Sequence, residues 1–292
     1  MDIKLKSLNE KAMLVKLTTR RANLSKRDEH AEAVIQQQMD DASLVVVSKL
    51  FRDKANPVNK VLSTLSEVYT YHKKHTLPYM DKGPRILPNG LYMDYTTEIR
   101  ALIGNMDTQL QAVVPNYDLY VNQDILFRNG GKTVGRASRD DYPQAHEFES
   151  RVGIDLRFMP LPDKKHFLFD LSDDDVQNFS QAMHEVEVAA NNDAVNRMLE
   201  PLKHLVDKLS KPIGTEGAIF RDSAIENVVE NAELAKKLLL DPEPGVLRAV
   251  DDLINTVSQY HSAWLRESPV VREQAAKKLD DIAKQMGTFM GA

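Results

Sequence analysis

From residue 172 to its end the chain repeats one pattern, apolar residues at three- and four-residue spacing between short Pro/Gly breaks. That spacing lines apolar side chains along one face of a helix and gives a strand no consistent inner face. Ser172 stands where a helix cap belongs. Asp173, Asp174 and Asp175 fall in the first turn, where the backbone dipole favours negative charge. Val176, Phe179, Met183, Val186 and Ala190 continue one face. Pro201 is expected to kink or interrupt this helix, and Lys211-Pro212-Ile213-Gly214 to break it. Further helices are predicted over 216–238, 244–264 and 269–286. The last has Ser268 as cap, Pro269 at its first position and Gly287 just past its end.

The first half is more varied. Residues 12–19 (AMLVKLTT) are short and β-rich, ahead of a basic turn at 20–23, and predict a strand. Ser25 is placed to cap a helix through Glu29, Ala33, Val34 and Ile35. Residues 43–51 are ambiguous: Val45-Val46-Val47 favours a strand, and the polar flanks fit a continued helix. Asn56-Pro57 opens a helix carrying Val58, Val61, Leu62, Leu65, Val68 and Tyr69, which ends before Pro78. A Pro/Gly-rich turn follows over 77–90, then a helix face with Tyr92, Tyr95, Ile99, Leu102, Ile103 and Met106. Residues 128–139 (RNGGKTVGRASR) hold three glycines, four basic residues and no acid, and read as a mobile basic loop. Two strands are predicted at 152–158 and 166–171, separated by turn residues Pro160-Leu161-Pro162-Asp163. With 12–19 they would make a small antiparallel sheet.

Composition narrows the class. With 42% apolar and 28% charged residues the chain is globular rather than disordered. No apolar stretch approaches the ~20 residues of a membrane span. Residues 1–17 intersperse lysines among apolar residues and lack the apolar block of a signal peptide, which points to the cytoplasm. The absence of cysteine removes disulfides, thiolate metal sites and cysteine nucleophiles. The net charge of −5 is uneven: residues 1–90 hold 16 basic against 10 acidic side chains, leaving −11 on the rest. Residues 1–27 hold 8 basic and 2 acidic, which accounts for that whole excess. A basic arm of this kind can meet phosphates or an acidic surface, or simply be solvated.

Candidate chemistry is sparse. Gly130-Gly131-Lys132-Thr133 has the end of a phosphate loop, but Leu126 stands where the first glycine belongs. Arg128, Lys132, Arg136 and Arg139 can still follow a phosphate backbone. Eight of nine tyrosines fall between 69 and 142, and aromatics beside cations suit single-strand binding, by stacking with charge neutralisation. The competing role for any one of them is a core edge with its hydroxyl at the surface. His72 and His75 lack a third ligand, and Lys73 and Lys74 beside them repel a cation. His184-Glu185 lacks the second histidine of a zinc-protease helix. The acidic pairs, such as Asp140-Asp141 and Asp251-Asp252, are sequence neighbours that point apart on a helix. No Gly-x-Ser-x-Gly elbow is present.

Several segments carry a resemblance: Ala12-Met13-Leu14-Val15-Lys16-Leu17 with its basic turn; Tyr71-His72-Lys73-Lys74-His75-Thr76-Leu77-Pro78; Arg85-Ile86-Leu87-Pro88 with Tyr92; Asp141-Tyr142-Pro143; Pro160-Leu161-Pro162; and Ala218-Ile219-Phe220-Arg221-Asp222-Ser223. In this order they resemble a phage and bacterial protein family of unknown function. One podovirus branch of it looks like a single-stranded-DNA-binding cofactor of the phage RNA polymerase. Other relatives are encoded beside a MoxR-type AAA+ ATPase and a von Willebrand A-domain protein, which implies an adaptor. The resemblance supplies no catalytic residues. It departs at the tryptophan after the first strand, where this chain has Thr19-Arg20-Arg21-Ala22.

The expected fold is α+β, predominantly α-helical with a small antiparallel β-sheet. A basic, tyrosine-rich region, 1–171, and a helical region, 172–292, would form one integrated domain. The expected function is non-catalytic binding of single-stranded DNA in phage transcription or replication, in the host cytoplasm. Lys16, Arg20, Arg21, Lys26, Arg27, Arg128, Lys132, Arg136 and Arg139 would contact phosphates, and Tyr142 would stack on a base. No cofactor, metal or membrane is expected. Partners would be a phage RNA polymerase or an AAA+ ATPase, with self-association through the helical half. The alternative is a protein-only adaptor, favoured by the acidic C-terminal half; an enzyme ranks third.

Overall fold

Aliphatic residues alternating into Lys16, Thr18 and Arg20 give the first strand its exposed face. The computed structural model, which describes residues 8–39, 45–80, 83–162, 172–219 and 221–289, forms a strand there. A single turn, α1 (Leu8–Lys11), leads into β1 (Ala12–Arg20). Next come β2 (Ser25–Arg27), α2 (Glu29–Met39), β3 (Val47–Lys49) and α3 (Pro57–Lys74). Then follow β4 (Leu77–Pro78), β5 (Arg85–Pro88), α4 (Tyr92–Val113), α5 (Tyr117–Arg128), α6 (Ala145–Ser150) and β6 (Gly153–Met159). The helical part comprises α7 (Asp173–Ser210), α8 (Ser223–Leu238), α9 (Pro244–Ser258), α10 (Ser262–Glu267) and α11 (Pro269–Gly287). The fold is α+β, predominantly helical, with a four-stranded antiparallel sheet ordered β4-β5-β1-β6 and a two-stranded ribbon β2-β3. Among the described residues no helix is long and apolar enough to cross a membrane.

The sheet recruits its members differently from expectation. β1 and β6 lie where predicted, while the strand predicted at 166–171 lies outside the described residues. β4 and β5 come from the segment read as a Pro/Gly turn. They pair Leu77 with Ile86 and Pro78 with Arg85. Ile86 and Leu87 are fully buried, and β5 pairs Leu14 with Ile86 across to β1. Pro78 lacks an N–H, but β4 is an edge strand, where the missing donor is tolerated. Ser25 does not cap α2. It belongs to β2, paired with Lys49, and Asp28 caps instead, its carboxylate accepting from the Ala31 N–H at 3.1 Å. Within the ambiguous 43–51 stretch, Val47–Lys49 is the strand.

The chain divides into two compact units, each drawn from several segments. The first comprises the described residues of 1–16, 73–95 and 157–292, and the second those of 17–72 and 96–156. The 171/172 division drawn from composition falls inside the first unit.

In the first unit α7 packs on α8 and α11, α8 on α9, and α9 on α11. Ala190, Ala194, Met198, Leu202, Leu205 and Leu209 form the buried stripe of α7. Ser172 caps this helix as predicted, accepting from the Asp175 N–H. The helix runs through Pro201 without a break. The backbone bond lost there is offset by burial of Met198, Leu199 and Leu202 around it. α8 begins at Ser223 rather than 216, because Gly214 (φ 87°) and Gly217 (φ 78°) hold left-handed turn conformations. The predicted helix 244–264 is split into α9 and α10, although no Pro or Gly marks the break.

The second unit is built around Phe51, Val61, Leu65, Met106, Tyr117 and Phe148, all buried. Tyr117 stacks on Phe148 (centroids 5.0 Å apart, 21° between planes). Asn56 accepts from the Val58 N–H and so starts α3 at Pro57, as the Asn-Pro pair predicts.

Candidate nucleic-acid interface

Apart from Lys16, the candidate phosphate-binding side chains lie in the second unit and fall into two groups, those bonded to other groups of that unit and those that are not. The internal group is organised by Asp124. On α5 the core face runs Tyr117, Val121, Asp124, Ile125, so this carboxylate is carried inward with its apolar neighbours. It is 1% exposed and accepts from the Phe51 N–H at 2.7 Å, the Arg52 N–H at 2.8 Å and the Tyr142 hydroxyl at 2.5 Å. Tyr142 is itself 4% exposed, and its ring meets Phe51 edge-on with centroids 5.2 Å apart. Burial, then the hydroxyl's bond to Asp124, raises its pKa well above the ordinary tyrosine value. Tyr142 therefore offers no free ring face to a base, in contrast with the stacking role expected from its place beside the basic loop.

Arg128 and Lys26 extend this network. The Arg128 guanidinium donates to the Tyr142 hydroxyl (3.3 Å) and to Ser48 Oγ (3.2 Å), and stands 3.8 Å from Asp141. Lys26 is ion-paired with Asp141. Burial alone would raise the Asp141 carboxyl, but Lys26, the Ser138 N–H and Arg128 together hold it below the usual value. Arg139 donates to Asp118 (2.7 Å), Gln144 Oε1 (3.1 Å) and the Tyr142 and Pro143 carbonyls. Arg27 forks onto both Glu32 oxygens at 2.9 Å, and Arg21 donates to Ser66 Oγ at 2.8 Å. Arg20 is exposed, but its guanidinium lies over Gly153, where an added Cβ would come within 2.5 Å of it. Lys16 is exposed on β1 and belongs to the first unit.

Lys132 and Arg136 differ from the bonded cations above, and from the likewise exposed and unbonded Lys16 and Arg20 in standing together on one short loop. Both are exposed, and neither side chain forms a hydrogen bond or ion pair with the described residues. They sit in a loop closed at its base. Asn129 Nδ2 donates to the Ala137 carbonyl at 3.0 Å, and the Ala137 N–H donates back to Asn129 Oδ1 at 2.9 Å. Gly130 (φ 65°) and Gly131 (φ 84°) turn the chain off the end of α5, where the Gly131 N–H donates to the Leu126 carbonyl at 2.8 Å. A Cβ at Gly135 would overlap the Asn129 side chain, so glycine there permits the clamp. All seven residues from 130 to 136 are exposed, and Val134 at the far side is 84% exposed. The residue pattern predicts a basic loop; it does not reveal that the two end arginines are structural and the two central cations projecting.

A usable signal for Asp124 is present in the sequence. A charged residue on an otherwise apolar helical stripe must be paired, and its spacing from Tyr117 and Val121 puts it on that stripe. The first unit holds a cleft of about 530 Å³ between the C-terminal end of α7 and α11. Of its charged lining, Arg272 points at backbone carbonyls and Lys211 pairs with Asp207 at 2.7 Å. Among the described residues no group of three His, Asp or Glu side chains is arranged to hold a metal ion. No family model, curated protein or solved structure matches this chain.

Proposed function

We propose that the chain binds single-stranded DNA without catalysing a reaction on it. The closed loop 130–136 carries this reading. The second unit supplies internal partners for Lys26, Arg27, Arg128 and Arg139, yet holds Lys132 and Arg136 out on a clamped support with no acid between them. Two cations fixed on a short loop suit the repeating charge of a phosphate backbone and do not require a particular base sequence. The resemblance to the phage family supports setting this activity in transcription or replication.

Replacing both residues (K132Q with R136Q) tests it. Each phosphate contact contributes a salt slope of roughly 0.7 on a log–log plot. The double variant is expected to flatten the slope by about 1.4 and to weaken binding about 25-fold at ~0.1 M salt. Fluorescence anisotropy of a labelled strand of about 30 nucleotides, beside its duplex, reads both. An unchanged slope removes the loop from the interface, and no binding by the native chain at low salt removes the reading.

A protein-adaptor reading is favoured by a separate observation. Ile219 (81% exposed), Trp264 (57%) and Val270 (64%) are large apolar residues left uncovered in a region, 172–292, with 21 acidic and 13 basic side chains. Arg272 bonds the carbonyls of Ala218 and Leu265, the neighbours of Ile219 and Trp264, which brings those two stretches of backbone to one guanidinium. Under this reading a complex with an AAA+ ATPase survives about 0.5 M salt, where surface charges are screened. W264S should then weaken it at least tenfold, as loss of an aromatic anchor does. A W264S chain that retains the ATPase excludes this surface.

A further inference from the structure

We infer that Phe127 is the stacking platform for a base of the bound strand; this deepens the reading above and rests on it. Phe127 occupies the last turn of α5 and is 59% exposed, although phenylalanine gains more than almost any side chain by leaving water. Its neighbours in sequence are fixed. Arg128 is held by Tyr142 and Ser48, and the Phe127 carbonyl accepts from the Gly130 N–H at 3.3 Å. The ring therefore stands on a rigid base. Gly130 and Gly131, which follow it, carry no side chains that could cover it.

The location couples the ring to charge. The Lys132 N–H donates to the Asn129 carbonyl at 3.4 Å, which keeps Lys132 one turn from the end of the helix that bears Phe127. The Asn129–Ala137 clamp returns Arg136 to the same helix end. An exposed aromatic at the helix end from which this loop departs, with two cations on the loop that bond to none of the described residues, matches a nucleotide, whose base has an apolar face and whose phosphate carries charge. A base can take the ring face while Lys132 and Arg136 meet the flanking phosphates. Charge decides between occupants: an apolar protein segment would use Phe127, Leu126 and Val134 but leave the cations unmatched. The platform suits any base, since every base presents a π-face, and it cannot serve a duplex whose bases are already stacked.

Three measurements on the full chain test this. F127A is expected to weaken oligo(dT) binding by about 5- to 150-fold, the range typical of one lost base–aromatic stack. The salt slope should stay at the native value, because no phosphate contact is removed, and F127W should restore affinity. Removing the bases, with an abasic strand of equal length, should weaken native binding and have a smaller effect on F127A. Phe127 lies outside the core, so the melting curve of F127A should match the native one. If F127A binds oligo(dT) as tightly as the native chain, the stacking role is overturned while single-strand binding stands. If F127A changes the salt slope as K132Q with R136Q does, the ring acts only by supporting the loop and the inference is likewise overturned. If the native chain binds no strand at low salt, both readings fall together.

Discussion

Replacing Asp124 with alanine is expected to destabilise the second unit by about 4 kcal/mol, the largest effect of any single polar substitution there. The size follows from what the carboxylate holds. Three donors point at it, and two of them, the Phe51 N–H and the Tyr142 hydroxyl, belong to residues almost wholly removed from water. Each buried donor left unmet costs roughly 1–3 kcal/mol. Phe51 adds a conformational element. Its φ is +51°, a left-handed geometry that costs a non-glycine residue about 1–2 kcal/mol, and Asp124 grips that residue and the next one. Asparagine keeps the shape but turns an amide toward at least one donor, so D124N should lose about 2–3 kcal/mol. Y142F removes one hydroxyl and leaves the backbone pair intact, and should lose about 1 kcal/mol. Urea unfolding of the three variants checks the order. Hydrogen exchange should show the loss in amides of 17–72 and 96–156. A D124A chain within about 1 kcal/mol of the native one would contradict the network account.

The second large effect is expected at Arg272, in the first unit. This residue is 4% exposed, and its guanidinium donates to the carbonyls of Lys208, Leu209, Leu265 and Ala218, with the Leu209 bond at 2.9 Å and the Ala218 bond at 2.7 Å. Two of these carbonyls end α7, where the helix leaves acceptors without intrahelical donors and the dipole favours a cation. Burial lowers the Arg272 pKa, a cost that the four bonds offset. R272A strands those acceptors and should cost about 4 kcal/mol. R272K keeps the charge but loses the planar fork, and should recover no more than about half of that. Thermal unfolding followed by circular dichroism checks both. Near-native stability of R272K would mean that charge, and not the fork, secures the end of α7.

Both residues show what is legible in advance. In α11 Arg272 lies seven positions before Leu279 and four before Ala276, on the stripe that enters the core. Asp124 occupies the same kind of position in α5. A charged residue on an apolar stripe signals that a partner exists. It does not say which, because the partners of Asp124 come from positions 51, 52 and 142, distant in sequence. The basic loop shows the converse. Arg128, Lys132, Arg136 and Arg139 look alike in sequence, and only tertiary contacts make the outer two structural and leave the inner two exposed. Phe127 does not stand out in the sequence because its helix places hydrophobic residues on both faces, so periodicity cannot tell a buried ring from an exposed one.

Residue order alone sets those features that local physics governs. They are the caps at Ser172 and Ser268, the Asn56-Pro57 start of α3, the first strand and the helical stripes of the C-terminal half. Each depends on side chains bonding or packing within a few residues of themselves. Long-range packing, in contrast, makes a strand of the Pro-rich segment around Ile86 and Leu87, carries α7 through Pro201, and selects which cations stay exposed. Those outcomes depend on burial and pairing between residues far apart in the chain, which override local preference.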